Sequence, residues 1–269
     1  MAFDLEAIVR GLTDTRFGTR IRHFDSVGST NTLALEAAQA GADEGVWIAD
    51  EQTAGRGRGN HNWHSAAGSG LYVSALVKPP IPARDALPIS LATGLAAKSA
   101  IAEVTGLEID IRWPNDLLIG SKKCGGILVE TAIAPEQAGR PAMLRYAVIG
   151  VGINLNHAAF PPELASQATS LRIETGNKVS REELLVALLR QIEDEMALLV
   201  RGWQGTDNGP GLYARFAEAS TWVRGKHVRV DEAGGYTGVT DGLNARGFLE
   251  VNCDDGQRRT VLSGGVREI

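Results

Sequence analysis

Val46-Trp47-Ile48-Ala49-Asp50-Glu51-Gln52-Thr53-Ala54-Gly55-Arg56-Gly57-Arg58-Gly59-Asn60-His61-Asn62-Trp63 runs from an apolar strand-like segment into three glycines alternating with two arginines, and closes on a tryptophan. A second apolar run, Leu71 to Val77, follows it. The segment between the runs is too polar for a core and too short for a linker. Glycine lets main-chain N–H groups approach a ligand closely, and arginine offers a permanent charge with a fork of donors that fits carboxylate or phosphate oxygens. Two readings are open for the run: a solvated hairpin loop, or a flexible basic patch for a small anion.

Outward from this loop, the chain alternates strand and helix patterns. Residues 4–12 read as a short helix and 21–25 as a strand. Ser29 or Thr30 is placed to cap a helix over 32–40 that Gly41 ends, and the same helix start can offer hydroxyls and N–H groups to a polar ligand. Strands are expected at 46–50 and 70–77, and a buried helix at 87–104. A strand over 108–113, a Pro-Asn-Asp turn, a strand pair at 117–119 and 122–133, and a strand from Leu144 to Ile149 follow. Residues 157–178 read as a loop-rich connection. Ser180 to Glu183 has the spacing of a capping box that opens a long amphipathic helix to about Val200, and 211–219 suggests a further helix. Past Trp222 the texture becomes short alternating segments (226–231, 236–241, 246–252, 258–262) between Gly- and Asp-rich turns, a β meander appended to an α+β domain. The boundary is expected near residue 220, giving units of 1–220 and 221–269.

Composition narrows the partners. The chain has 269 residues, 43% hydrophobic and 22% charged, with a formal net charge of −5. That balance argues for an ordinary globular core and against a broad nucleic-acid-binding surface. The two cysteines, Cys124 and Cys253, lack metal-ligand spacing, and the five histidines form no cluster with them. Reduced thiols and an acidic N-terminus without signal-peptide character point to the cytoplasm, and no uninterrupted apolar run suggests a membrane span. Phosphate-loop, dinucleotide and nucleophile-elbow motifs are absent.

Besides the loop, four stretches stand at strand ends, where ligands tend to be held: Ser29-Thr30-Asn31, Arg112 to Asp116, Lys122 to Leu128, and Gly150 to Asn154. Lys123 precedes a Gly-Gly pair inside a strand. It is either a solvated residue, as Lys122 is expected to be, or a lysine aimed at an anion in the gap.

Taken together, these stretches resemble the short class of biotin protein ligases. Gly55 to Trp63 is similar to that family's G-R-G-R-x-G-R-x-W signature, Trp113 to Asp116 matches W-P-N-D, Lys123 to Glu130 resembles K-x-x-G-I-L-x-E, and Gly150 to Asn154 resembles G-x-G-x-N. The likeness covers nearly the whole chain. It implies an α+β fold with a mixed sheet flanked by helices, as in class II aminoacyl-tRNA synthetases and biotin ligases, carrying a small C-terminal SH3-like β-barrel. It implies a biotin–[acetyl-CoA-carboxylase] ligase that forms biotinyl-5′-adenylate from biotin and ATP and passes biotin to a lysine of the biotin carboxyl carrier protein of acetyl-CoA carboxylase. Mg²⁺ would enter with the ATP phosphates, with no certain protein ligands.

The resemblance also implies residue roles. Lys123 and Arg58 would be catalytic, with Lys123 bridging the biotin carboxylate and the α-phosphate. Ser29, Thr30, Asn31, Gln52, Gly55, Arg56, Gly57, Arg58, Lys123 and Gly126 would bind biotin, and Arg56, Arg58, Trp63, Asn115, Lys123 and Asn154 would bind ATP. Trp63 is either the closing residue of a lid or an ordinary half-buried aromatic. Asn60 and His61 depart from the signature's Gly and Arg; Asn tolerates left-handed backbone, whereas His61 removes a permanent charge. Rival readings are a lipoate- or octanoate-type ligase, a biotin-sensing repressor and a non-catalytic biotin-binding module. Only 28 residues precede Ser29, and a helix-turn-helix module needs roughly twice that, so no DNA contact is expected. A homodimer through sheet edges stays open.

Overall fold

The computed structural model describes residues 3–269 apart from 84, 85, 136–138, 140, 208 and 264, and apart from the side chains of residues 60 and 86. Helix α1 (Leu5–Gly11) leads to β1 (Ile21–Val27), α2 (Thr30–Gln39), β2 (Gly45–Gln52), β3 (Gly70–Val77), α3 (Ala86–Thr105), β4 (Asp110–Arg112), β5 (Asp116–Ile119), β6 (Lys122–Ile133) and β7 (Leu144–Asn154). The seven strands make one mixed sheet in the order β1-β2-β3-β7-β6-β5-β4. β1 runs parallel to β2, and every other pair is antiparallel.

Side chains alternate across the sheet, and each face meets different helices. Trp47, Leu76, Tyr146 and Val148 cluster with Ala34 and Ala38 of α2. Their neighbours Val46, Ile48, Ala75, Ala147 and Ile149 join the larger core, where α3 packs against α6 (Arg181–Gln204). The sequence reading expected no apolar run long enough to cross a membrane, yet by length and apolarity the helix Leu87–Thr105 would suffice; 67% of its most apolar window is buried inside the protein.

The expected loop over 157–178 contains two short helices, α4 (Pro162–Ala165) and α5 (Leu171–Thr175). Local chemistry accounts for both: Pro162 opens α4, and Ser170 Oγ accepts the Ile173 N–H at 3.1 Å to cap α5, which Gly176 ends in left-handed backbone. Ser180 Oγ likewise accepts the Glu183 N–H at 3.2 Å, and α6 continues past Val200 until Gly205 supplies the left-handed cap. Helix α7 (Leu212–Ala219) follows.

The C-terminal meander is β8 (Arg224–Val230), β9 (Tyr236–Leu243), β10 (Leu249–Cys253) and β11 (Arg258–Val261), with a short return strand, β12 (Val266–Glu268), that the sequence pattern did not reveal. The order is β11-β10-β9-β8-β12. This corrects the barrel expected from the resemblance: the five strands form an antiparallel sheet that does not close. β12 is only three residues long and is engaged by β8, while the end of β11 is drawn to Glu232, which accepts the Leu262 and Ser263 N–H groups at 3.1 and 3.0 Å. The sheet docks on the main unit partly through Trp113, whose Nε1 donates to the Gly247 carbonyl at 3.0 Å.

Candidate functional site

Glycines in the middle of the main sheet create the site. Gly126 of β6, Gly152 of β7 and Tyr72 of β3 lie side by side in register, as do Leu128, Gly150 and Ser74 one pair further on. Strand glycines leave bare backbone that another group can approach. Trp63 covers Gly152: a Cβ there would meet the indole Nε1 at 2.5 Å. Asn31 covers Gly150, where a Cβ would lie 2.8 Å from its Cγ.

The start of α2 is organised by side chains from the sheet. Ser29 occupies the N-cap position without making a side-chain cap bond. The Thr30 N–H instead donates to Gln52 Oε1 at 2.9 Å, and Gln52 Nε2 donates to Ser65 Oγ at 3.0 Å. Ser74 Oγ lies 2.8 Å from Thr30 Oγ1 and 2.6 Å from Asn31 Oδ1. Asn31 Nδ2 donates to Glu130 at 2.9 Å. Ser29, Thr30 and Asn31 are all buried, so this row of hydroxyl and amide groups faces a dry wall rather than bulk water.

The Gly-Arg loop is an ordered hairpin, not an open solvated loop. Arg56 and Asn62 form an antiparallel bridge, the Gly57 N–H donates to the His61 carbonyl at 2.7 Å, and the Trp63 N–H donates to the Gly55 carbonyl at 2.9 Å. Residues Arg58–Asn60 make a single 3₁₀ turn. Its left-handed residue is Gly59, with φ 61°, where glycine carries no Cβ penalty. Left-handed tolerance at Asn60 is therefore not what the turn demands. The side chain of Asn60 lies outside the described residues, and His61 is exposed.

Each cation of the site has a partner. Arg56 Nη2 is 2.5 Å from Glu130 Oε2. Arg58 reaches Asn115 Oδ1 at 3.2 Å with one nitrogen and the Ser263 carbonyl at 3.1 Å with the other. Lys123 Nζ pairs with Asp116 and stands 5.4 Å from the centre of the Trp63 ring. Asp116 also accepts from Arg112 Nε at 3.1 Å. Burial alone would raise the Asp116 carboxyl, but the Lys123 and Arg112 cations beside it hold it below the usual carboxylate range. Burial lowers the Arg58 guanidinium, and the charge of Asp116 offsets part of that.

Two spaces meet here. A narrow slot of about 50 Å³ is walled by the start of α2, Arg56, Gly57, Arg58, Asn115, Gly126 and the bare strands. A wide cleft of about 1220 Å³ opens on the other side, past Gly55, Arg112, Asn154 and the segment from Phe160 to Ala168. Gln52, Trp63 and Lys123 border both. Of the residues expected to bind biotin, all but Gly55 line the slot; Gly55 lines the cleft. Of those expected to bind ATP, Trp63, Lys123 and Asn154 line the cleft, whereas Arg56, Arg58 and Asn115 line the slot. Asn154 is buried, and its amide donates to the Lys123 and Thr169 carbonyls at 3.3 and 3.1 Å.

The sequence reading assigned no role to Asp116 or Glu130, although both lie inside the motifs it singled out. A carboxylate close to motif cations was the available signal. Ser74 and Tyr72 carried none, because only strand register brings them to the wall, and Ser65 meets Gln52 only through the fold of the loop before β3. Beyond the cleft, His157 stacks on Phe160 at 4.9 Å and faces His64 at 5.8 Å. Burial, then the charge of His64, pushes the His157 imidazole down to about 4. Cys124 and Cys253 are both free and buried. His23, Asp25 and Asp50 gather close enough to hold a metal, yet Asp50 is already paired with Arg181.

Comparison with known proteins matches residues 23–154 to the biotin/lipoate A/B protein ligase family. The chain is 34% identical over 259 residues to the biotin–[acetyl-CoA-carboxylase] ligase of Mycobacterium tuberculosis, covering 92% of this chain and 89% of that protein. It is 34% identical over 238 residues to the bifunctional ligase/repressor BirA of Bacillus subtilis, covering 83% of this chain and 70% of that protein. Its fold superposes with a TM-score of 0.75 on a biotin protein ligase from Aquifex aeolicus in complex with biotin and ATP, at 24% identity, covering 93% of this chain and 100% of the other. The family match and the 34% identity across nearly the whole of the M. tuberculosis ligase, on a chain whose slot and cleft meet at one lysine, lead to the conclusion that the chain belongs to the biotin/lipoate A/B protein ligase family, among its biotin protein ligases.

Proposed function

We propose that the protein joins biotin to ATP as biotinyl-5′-adenylate and then transfers biotin to a lysine of the biotin carboxyl carrier protein of acetyl-CoA carboxylase. The observation that carries this reading is the position of Lys123, between a narrow slot lined with neutral donors and acceptors and a cleft with room for a nucleotide. The Aquifex relative, described with biotin and ATP together, supports the pairing of ligands.

Biotin's ureido ring is neutral and needs donors and acceptors at once, which Ser29, Thr30, Asn31 and Gln52 supply. The biotin carboxylate then attacks the α-phosphorus of ATP; the bond to the β-phosphate oxygen breaks and pyrophosphate leaves. Both reactants are anionic, so a positioned cation favours their approach and the charge that develops. Lys123 is that cation, and its pairing with Asp116 aims it. In the second step the carrier lysine's amine attacks the acyl carbon, AMP departs and the nitrogen loses a proton. Mg²⁺ would enter as MgATP and would supply positive charge at the phosphates: among the described residues the site's carboxylates, Asp116 and Glu130, are already paired with cations, which would suit an ion held chiefly by phosphate oxygens and water. Buried free cysteines fit a cytoplasmic setting.

The slot as it stands is well below the several hundred Å³ typical of small-molecule sites, so biotin enters by displacing a wall. Of the walls not built on strands, the start of α2 belongs to a helix and Asn115 to a tight turn; the loop from Thr53 to Trp63 is the remaining one, and it serves as the lid that shields the adenylate from water once closed. The test is transfer of radiolabelled biotin to a purified carrier domain. ATP-dependent pyrophosphate release and a labelled carrier lysine, both lost in Lys123→Ala, are expected. Biotin binding without turnover would overturn the assignment and favour a binding module.

A further inference from the structure

We propose that Glu232, in the turn between β8 and β9, is a positioning residue for Arg58 of the Gly-Arg loop, so that the second sheet holds the lid of the ligase site. The chain of contacts is short. The Glu232 carboxylate accepts the N–H groups of Leu262 and Ser263 at 3.1 and 3.0 Å. That fixes the strand end whose Ser263 carbonyl accepts from Arg58 at 3.1 Å. Arg58 spends its other nitrogen on Asn115 at 3.2 Å, so one guanidinium spans the loop, the turn after Trp113 and the second sheet. A planar fork is suited to hold two acceptors at once. Leu262 is 61% exposed and adds little packing of its own; between the buried Val261 and the Asp231 N–H bond to the Gly265 carbonyl at 2.9 Å, the Glu232 carboxylate ties down the Leu262 and Ser263 N–H groups. Glu232 lines neither the slot nor the cleft; among the described contacts, its route to Arg58 runs through Ser263.

The catalytic consequence rests on the ligase reading, but the contact itself does not, and the two are tested separately. In ligand-free protein, trypsin cleaves after Arg58 only when the loop lifts from Ser263 and Asn115. Glu232→Ala is expected to speed that cleavage roughly threefold or more, as loss of an anchoring charge-assisted bond allows. Glu232→Gln keeps an acceptor oxygen and should stay near wild type. If Glu232→Ala also exposes Arg258 and Arg259 of β11, the second sheet has opened, and Glu232→Asp, which keeps the charge but shortens the reach, takes its place with the same expectation. With biotin, ATP and a bystander protein, Glu232→Ala should raise stray labelling several-fold in the wild-type background and add nothing in an Arg58→Ala background. Equal cleavage after Arg58 in wild type and variant, with the second sheet intact, overturns the proposal whether or not the protein proves active. Absent pyrophosphate release in the wild type would instead strike the ligase reading and leave the cleavage comparison to decide the role of Glu232.

Discussion

The indole of Trp63 rests directly on the bare backbone of Gly152, at a distance no side chain at 152 would allow. Its Nε1 is buried and has no hydrogen-bond partner among the described residues. A buried donor left unpaired is costly, so the stacked position is held by packing and by the Gly55–Trp63 bond, and it leaves a donor ready for a ligand. Gly152→Ala should displace the indole from between slot and cleft. Because Trp63 sits on a loop that can lift, the stability loss should fall at or below the low end of the roughly 1–3 kcal/mol usual for overpacking. Pyrophosphate release should drop by about tenfold or more. Thermal melts beside the kinetic assay check both; wild-type turnover in Gly152→Ala would show that the indole need not lie there.

Lys123 and Asp116 give a second prediction. Lys123→Ala removes the cation between the two ligands and should lower adenylation by on the order of a hundredfold, the scale of losing one preorganised charge contact. Asp116→Asn keeps the shape but leaves Lys123 and Arg112 without their carboxylate. It should reduce turnover less than Lys123→Ala does, and the two changes together should be no worse than Lys123→Ala alone. Rates for the two single variants and the double variant decide the point: strictly additive losses would mean that Asp116 acts independently of Lys123.

These residues also show where sequence patterns stop. The Gly-Arg loop, β3 over 70–77 and the caps at Ser180 and Gly205 are local features, written in glycine spacing, alternation and capping chemistry, and they were legible. Trp63 over Gly152 was not, because residues that far apart meet only through the register of β6, β7 and the returning loop. Ser74 reads as an unremarkable strand residue until it proves to orient Asn31. β12 is three residues long, too short for alternation to register, and the contact of Glu232 with the distant end of β11 is invisible to local pattern. Asp116 and Glu130 were visible as letters of motifs, while their pairings with Lys123 and Arg56 needed the sheet.

Arg58 contributes through retention. It ties the closed loop to Asn115 and Ser263, so Arg58→Gly removes both ties and adds backbone freedom. The variant should still make adenylate but release it, labelling lysines of a bystander protein several-fold above wild type. Biotin blotting of a mixture with serum albumin reads the effect. Loss of adenylation without diffuse labelling would assign Arg58 to chemistry rather than retention.

His157 predicts a pH dependence of folding. It is 4% exposed, and neither ring nitrogen has a partner among the described residues. Its folded value of about 4 lies below the ordinary 6.5, so between those limits the unfolded chain binds a proton that the folded chain refuses. The stability tied to neutral His157 is thus fully present above about pH 6.5 and falls progressively as pH drops toward 4, where the loss levels off at about 3 kcal/mol. His157→Phe keeps the stacking on Phe160 and cannot titrate, so this part of the acid sensitivity should vanish. Urea midpoints at pH 7.5 and 4.5, for wild type and variant, isolate the effect from carboxylates common to both. An equal drop in the two proteins would mean that the ring gains a partner or water on acidification.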